Sequence, residues 1–169
     1  MKKAILGILL GLCVLAQPIQ VEANSLSYIV PEEVDEIPTE ISQNAEVIGS
    51  ELNICPELLE AIAYYESSFR PTVTNGNCKG LMQVNPTIHK ARFTDAGWTN
   101  ADWSDAYKNM YVAADYLSEL FERYEDVAVV LAVYHGEKDA VSKAQSGHMS
   151  SYVRKILKKS EELERLHGK

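Results

Sequence analysis

The stretch DAYKNMYVAADYLSELFERY, residues 105–124, decides the fold class. Tyr107, Met110, Tyr111, Ala114, Leu117, Leu120, Phe121 and Tyr124 recur at steps of three and four, which lines them along one face of a helix over about Asp105–Arg123. Toward the C-terminus, Val127–Tyr134 is apolar on every side and predicts a buried central helix. Residues 150–166 then set Tyr152, Val153, Ile156, Leu157, Leu163 and Leu166 on one side of a closing helix. Toward the N-terminus, Ile41, Ala45, Val47, Ile48 and Leu52 give Thr39–Asn53 a near-helical period. Pro56 suits the first turn of the next helix, which runs to about Phe69. Pro71 stops it, because the residue before a proline avoids the helical region. Residues 71–79 (PTVTNGNCK) carry loop chemistry, Pro86 opens a short helix to Phe93, and residues 94–104 form a structured loop around Trp98 and Trp103. No internal repeat and no sustained strand alternation interrupts the series. The expected fold class is all-α: one domain of six or seven helices.

A length of 169 residues suits one domain with a core and excludes two ordinary ones. Lys2 and Lys3 precede the uncharged apolar run Ala4–Ala16, which falls short of the roughly 20 residues that span a bilayer. Val21-Glu22-Ala23 fits a signal-peptidase site, so residues 1–23 read as an export signal and Asn24 as the new N-terminus. An uncleaved anchor, or acylation at Cys13 behind the bulky Leu12, are the other readings. Residues 24–37 are acidic and Pro-containing and read as a lead-in, with the domain over 38–169. The expected location is extracytoplasmic, in the cell wall or periplasm, without stable membrane insertion after cleavage.

The whole chain has 16 basic and 24 acidic residues, a net charge of −8. Loss of Lys2, Lys3 and Glu22 leaves 14 against 23, or −9. Nucleic acid is therefore not an expected partner, since phosphate binding needs a basic surface. Removal of Cys13 leaves Cys55 and Cys78, an even number in an oxidising compartment, which permits a disulfide; two buried thiols are the alternative.

Glu66 is the residue most suited to chemistry. Leu59, Ile62 and Ala63 precede it by seven, four and three residues and share its helical face. A carboxyl desolvated by such neighbours keeps its proton to higher pH and can act as a general acid. The bland reading is a surface glutamate paired with Arg70 one turn on, weakened because Pro71 draws Arg70 off the helix.

Three blocks surround that residue in order: Glu66-Ser67-Ser68-Phe69 with Pro71, then Gly80-Leu81-Met82-Gln83-Val84-Asn85-Pro86, then Ala132-Val133-Tyr134-His135. Together they resemble the soluble lytic transglycosylase (SLT) family over about residues 45–157. The resemblance implies a goose-type-lysozyme-like helical domain with a substrate cleft. It implies Glu66 as the sole catalytic acid/base, Met82 and Gln83 lining the sugar cleft, and Tyr134 facing the glutamate. Core packing for Tyr134 and loop support for Gln83 are the plainer alternatives. Asn109 matches a structural asparagine at the start of a long helix. The chain departs from the family pattern where His135 replaces an asparagine, where Gly136-Glu137-Lys138-Asp139 replaces a glycine-containing turn, and where Cys78 stands in a shortened loop.

The implied substrate and partner is the peptidoglycan glycan strand. The implied reaction is cleavage of the MurNAc-β-1,4-GlcNAc bond with a 1,6-anhydro end, and no cofactor. A muramidase would need a second carboxylate, for which Asp95, Asp102, Asp105 and Glu137 are candidates; a non-catalytic wall-binding module is a third reading. The acidic lead-in leaves docking to a secretion or conjugation machine open. His89, His135, His148 and His167 show no metal-ligand spacing, so no metal site is expected, and no Gly-x-Ser-x-Gly is present. Trp98 and Trp103 are either plugs of a small core or sugar platforms.

Overall fold

The computed structural model describes residues 36–169. The expected signal and nearly all of the lead-in lie outside the described residues. Of the lead-in, Ile37 packs against the core. The described chain is a helical domain: α1 (Thr39–Leu52), α2 (Pro56–Ser67), a hairpin of β1 (Thr74–Asn75) and β2 (Cys78–Lys79), α3 (Lys90–Asp95), a 3-10 turn at Asp102–Ser104, α4 (Ala106–Arg123), α5 (Val127–Tyr134), α6 (Ala140–Gln145) and α7 (Ser151–Leu166).

Side chains at the helix starts explain several boundaries. Asp105, Asp126 and Ser150 accept hydrogen bonds from the backbone N–H groups of Lys108, Ala128 and Val153, satisfying donors that the first helical turn leaves unpaired. Pro56 opens α2 where its missing N–H costs nothing. The long helices follow the hydrophobic period closely. The short elements do not. Residues 71–79 hold a hairpin whose register, Asn75 opposite Cys78, leaves Gly76-Asn77 as a two-residue turn, with Gly76 at φ +59°. The short helix begins at Lys90 rather than Pro86, because the Asn85 side chain first accepts from the N–H groups of Thr87 and Ile88.

α2 packs along α7 and α1, α1 also packs on α4, and α4 supports α5. Ile48, Leu59, Ile62, Leu117, Leu131 and Ile156 meet with no solvent exposure. The turn from α1 into α2 is tight: Asn53 takes a left-handed conformation (φ 53°), and the Ile54 N–H returns to the Gly49 carbonyl at 2.9 Å. A side chain at Gly49 would bring its Cβ to 2.5 Å from the Ile54 carbonyl oxygen and 3.1 Å from the Pro56 ring.

The expected Cys55–Cys78 bridge is not formed; both thiols are free. Cys55 caps the start of α2, where its thiol faces Glu57 at 3.0 Å. Cys78 lies in the hairpin beyond the other end of that helix, electrostatically coupled to Tyr134. Twelve helical residues rise about 18 Å, whereas a disulfide needs Cα atoms within roughly 7 Å. An even cysteine count supplies no information about that separation.

The loop after the hairpin hangs from one amide. Asn109, fully buried on α4, accepts from the Met82 N–H at 2.8 Å and donates to the carbonyls of Trp103 (2.9 Å) and Lys79 (3.1 Å). Gly80, at φ +85°, gives it room: a Cβ there would lie 2.2 Å from the Asn109 amide nitrogen. Replacing Asn109 with alanine leaves those backbone groups without a partner, at roughly 1–3 kcal/mol for each that water does not reach. Asn109→Ala is therefore expected to lower the urea midpoint sharply. Gly49→Ala is expected to destabilise by about 1–3 kcal/mol through backbone overlap. An unchanged midpoint in either variant would contradict the packing described.

Candidate active site

α2 delivers Glu66 to the surface of the core and then stops abruptly. Ser68 and Phe69 both adopt left-handed backbone conformations, φ 50° and 59°, which are uncommon for residues with a side chain. Local bonds hold that turn. Ser67 donates its hydroxyl to the Ala63 carbonyl at 3.1 Å and accepts from the Arg70 N–H at 3.2 Å. The Arg70 side chain donates to the Ser67 carbonyl at 3.0 Å rather than pairing with Glu66. The helix thus ends one residue beyond the carboxylate, two residues earlier than its sequence suggests.

Glu66 itself is mostly buried, its side chain 15% exposed. The Tyr152 hydroxyl, from α7, donates to Oε1 at 2.7 Å. The His135 imidazole Nδ1 stands 3.9 Å from the same oxygen. His135 and Tyr152 stack with ring centroids 3.7 Å apart and planes within 13°. Burial raises the Glu66 pKa above the ordinary carboxylate range; the Tyr152 hydrogen bond and the charge of His135 oppose that shift without cancelling it. The Tyr152 and Tyr134 hydroxyls are pushed strongly upward, first by burial and then by the Glu66 charge, so both remain protonated donors.

Tyr134 ends α5 and donates to the Met82 carbonyl at 2.7 Å. The Met82 peptide is therefore held at both ends, by Asn109 on its N–H and Tyr134 on its carbonyl. The Met82 side chain is completely buried, so its peptide, not its thioether, is what it contributes near the cleft. Gln83 has φ 50° and commits its amide nitrogen to the carbonyls of Gly80 (2.8 Å) and Val73 (3.1 Å). That amide braces the loop, while the residue also lines a groove of about 740 Å³. Tyr134 and His135 line it as well, and the volume falls within the roughly 300–1,000 Å³ common for ligand sites. Farther along, Arg92 binds Asp115 and Glu119 and lies over the Tyr116 ring.

The other sequence candidates are spread over the domain. Asp102 pairs with Lys108 and Thr99, Asp105 caps α4, and Glu137 accepts from Ser150. Asp95 lines the groove. Trp98 packs edge-on against Tyr107 and Tyr111, and Trp103 uses its carbonyl on Asn109, so both serve the core around α4. Tyr152 is the residue that sequence reasoning undervalued. It reads as one more apolar position of an amphipathic helix, and only its hydroxyl, a polar tip on a buried face, hints at a partner. His135 stands out as a departure from the family pattern, but its stacking on Tyr152 is a tertiary fact.

The model of the transglycosylase SLT domain family matches residues 43–156. A transglycosylase of Enterobacteria phage PRD1 is 36% identical over 117 residues, covering 67% of this chain and 41% of that protein. The chain thus spans less than half the length of that curated relative. The matched segment runs from α1 into α7 and contains Glu66, Gln83, Asn109, Tyr134, His135 and Tyr152. The chain belongs to the transglycosylase SLT domain family.

Proposed function

We propose that this domain is a peptidoglycan lytic transglycosylase that cleaves the MurNAc-β-1,4-GlcNAc bond with Glu66 as its acid and then its base. The supporting observation is a mostly buried carboxyl, raised in pKa, with a phenol and an imidazole at one oxygen, the imidazole being that of His135, which lines an open groove with Gln83 and Tyr134. In the first step the Glu66 carboxyl gives its proton to the bridging oxygen. The bond from that oxygen to muramic C1 breaks, leaving oxocarbenium character on the ring and a carboxylate on Glu66. In the second step that carboxylate takes the proton of the muramic C6 hydroxyl as O6 bonds to C1. The product carries a 1,6-anhydro bridge, no water is consumed, and Glu66 is again protonated.

Tyr152 steadies the carboxylate formed between the two steps, and its hydroxyl supplies a hydrogen bond without competing for the proton. Asp102, Asp105 and Glu137 are engaged by Lys108, by the start of α4 and by Ser150, which favours internal capture by C6; Asp95, in the groove lining, is the one of the four left to direct a water. Such a reaction requires the domain to reach the wall, which is the role proposed for residues 1–23 as an export signal.

Glu66→Gln is expected to abolish release of muropeptides from purified cell walls, a loss of at least about 100-fold, in line with removal of a general acid. Mass spectrometry of wild-type products should show anhydro ends; reducing ends would replace this reading with hydrolysis. Activity should fall as pH rises through the raised Glu66 pKa, because the proton to be donated is lost. His135→Asn removes a charge that favours the ionised carboxyl, so the alkaline limb of the pH profile should move upward. A downward shift would contradict the geometry. Stability carries the matching sign: the folded state holds the Glu66 proton more tightly than the unfolded chain, so this group destabilises the fold as pH rises. Glu66→Gln should therefore raise the Tm at pH 8 more than at pH 4.

A further inference from the structure

At the end of α2 remote from Glu66, three separate elements bring charged donors together. Glu46 comes from α1, Glu57 and Glu60 from the first turns of α2, and His167 and Lys169 from the chain just past α7. One oxygen of each of Glu46 and Glu57 and one ring nitrogen of His167 lie within 4.8 Å of one another. His167 Nδ1 is 2.9 Å from Glu57 Oε1, and the Cys55 thiol is 3.0 Å from Glu57 Oε2. Glu57 is fully buried, and Lys169, Cys55 and His167 all reach its two oxygens, so its carboxylate is fixed in place between α1 and the end of the chain past α7.

Two further observations point to a cation. The first is Glu60, one helical turn beyond Glu57 on the same face. It has no solvent exposure, and neither of its oxygens completes a hydrogen bond, although the Ser42 hydroxyl stands near. Glu46, Glu57 and His167 are the charged groups it senses. A buried carboxyl whose hydrogen bonds are incomplete is costly, and a positive charge close to it relieves that cost. The second is Lys169, whose ammonium lies 2.7 Å from Glu57 and 3.8 Å from Glu46. It marks where positive charge is favoured. Its side chain is 47% exposed beyond the helix, so it can swing aside.

We propose that Glu46, Glu57 and His167 bind a divalent transition-metal ion of the zinc class, with Glu60 one turn along the same helix and Lys169 occupying the same position when the metal is absent. One imidazole with two carboxylates suits Zn²⁺ better than Mg²⁺ or Ca²⁺, which prefer oxygen alone. The ion joins the C-terminal end of α7 to α1 and α2. Those last two helices include the one that carries Glu66, and α7 carries its partner Tyr152. Glu57 and Glu66 are nine residues apart on one helix, so the site lies about 13 Å from the carboxyl proposed to react. Its role is structural, and it does not depend on the reaction assigned above.

The test uses the full chain, stripped with EDTA and titrated with Zn²⁺ at pH 7 by calorimetry, with thermal unfolding followed in parallel. The wild type should bind one equivalent saturably, and its Tm should rise with free Zn²⁺. His167→Ala should weaken binding at least about tenfold. Glu46→Gln, at an exposed position that leaves the fold intact, should weaken it as well. Lys169→Ala should bind more tightly than wild type, because the competing ammonium is gone. Absence of saturable binding by the wild type would overturn the proposal. So would affinity unchanged in both His167→Ala and Glu46→Gln, or weakened in Lys169→Ala.

Discussion

The side-chain amide of Asn109 is the contact on which the cleft depends. It sits in α4 with no exposure and closes three backbone hydrogen bonds, to Met82 in the loop, Lys79 at the end of β2 and Trp103 in the 3-10 turn. Buried peptide groups left over by short elements need other partners, and this amide supplies them for Lys79, Met82 and Trp103. The absence of a side chain at Gly80 is the steric condition for that approach. Once Met82 is anchored from one side, its carbonyl is fixed for Tyr134 on the other, and α5 is tied to the loop. The cleft wall is therefore assembled from peptides held by side chains.

The Glu66 carboxyl depends on a second, longer-range arrangement. Its helix contributes the apolar surroundings, but the groups that govern its proton arrive from the far end of the chain. Tyr152 is 86 residues away in sequence and donates directly to Oε1. His135 reaches the same oxygen by stacking flat on Tyr152. Desolvation and hydrogen bonding act in opposite directions here, and desolvation is the larger. That balance keeps the acid form available while leaving the ion a partner once the proton has gone. The packing of α7 along α2 is thus a condition of the chemistry as well as of stability.

α2 has distinct electrostatic problems at its two ends. Near Ser67 a single acid meets neutral phenols and one imidazole, and remains a proton reservoir. Near Pro56 several acids meet cations, and Glu57 is held ionised. The same residue type behaves oppositely because of what the neighbouring helices present.

The sequence by itself determined the helices that bury a continuous face. α4, α5 and α7 follow from periodicity because one stripe of apolar side chains must leave water, and Asp105, Asp126 and Ser150 mark their starts. It also singled out Glu66, through three apolar neighbours on its helical face and the motif blocks around it. Tertiary structure decided the rest. The hairpin at 74–79 has only two residues per strand, too few for an alternation to register. The separation of Cys55 from Cys78 follows from the rise of α2, which a cysteine count does not contain. Met82 and Gln83 are recognisable in the chain, but that one acts through its peptide and the other braces a loop depends on Asn109, Val73 and Gly80. Tyr152 and the group around Glu57 and His167 show the reason most clearly. A hydrogen bond or a charge cluster forms between whatever the packed helices bring within a few ångströms, and spacing along a chain does not encode distance across a core.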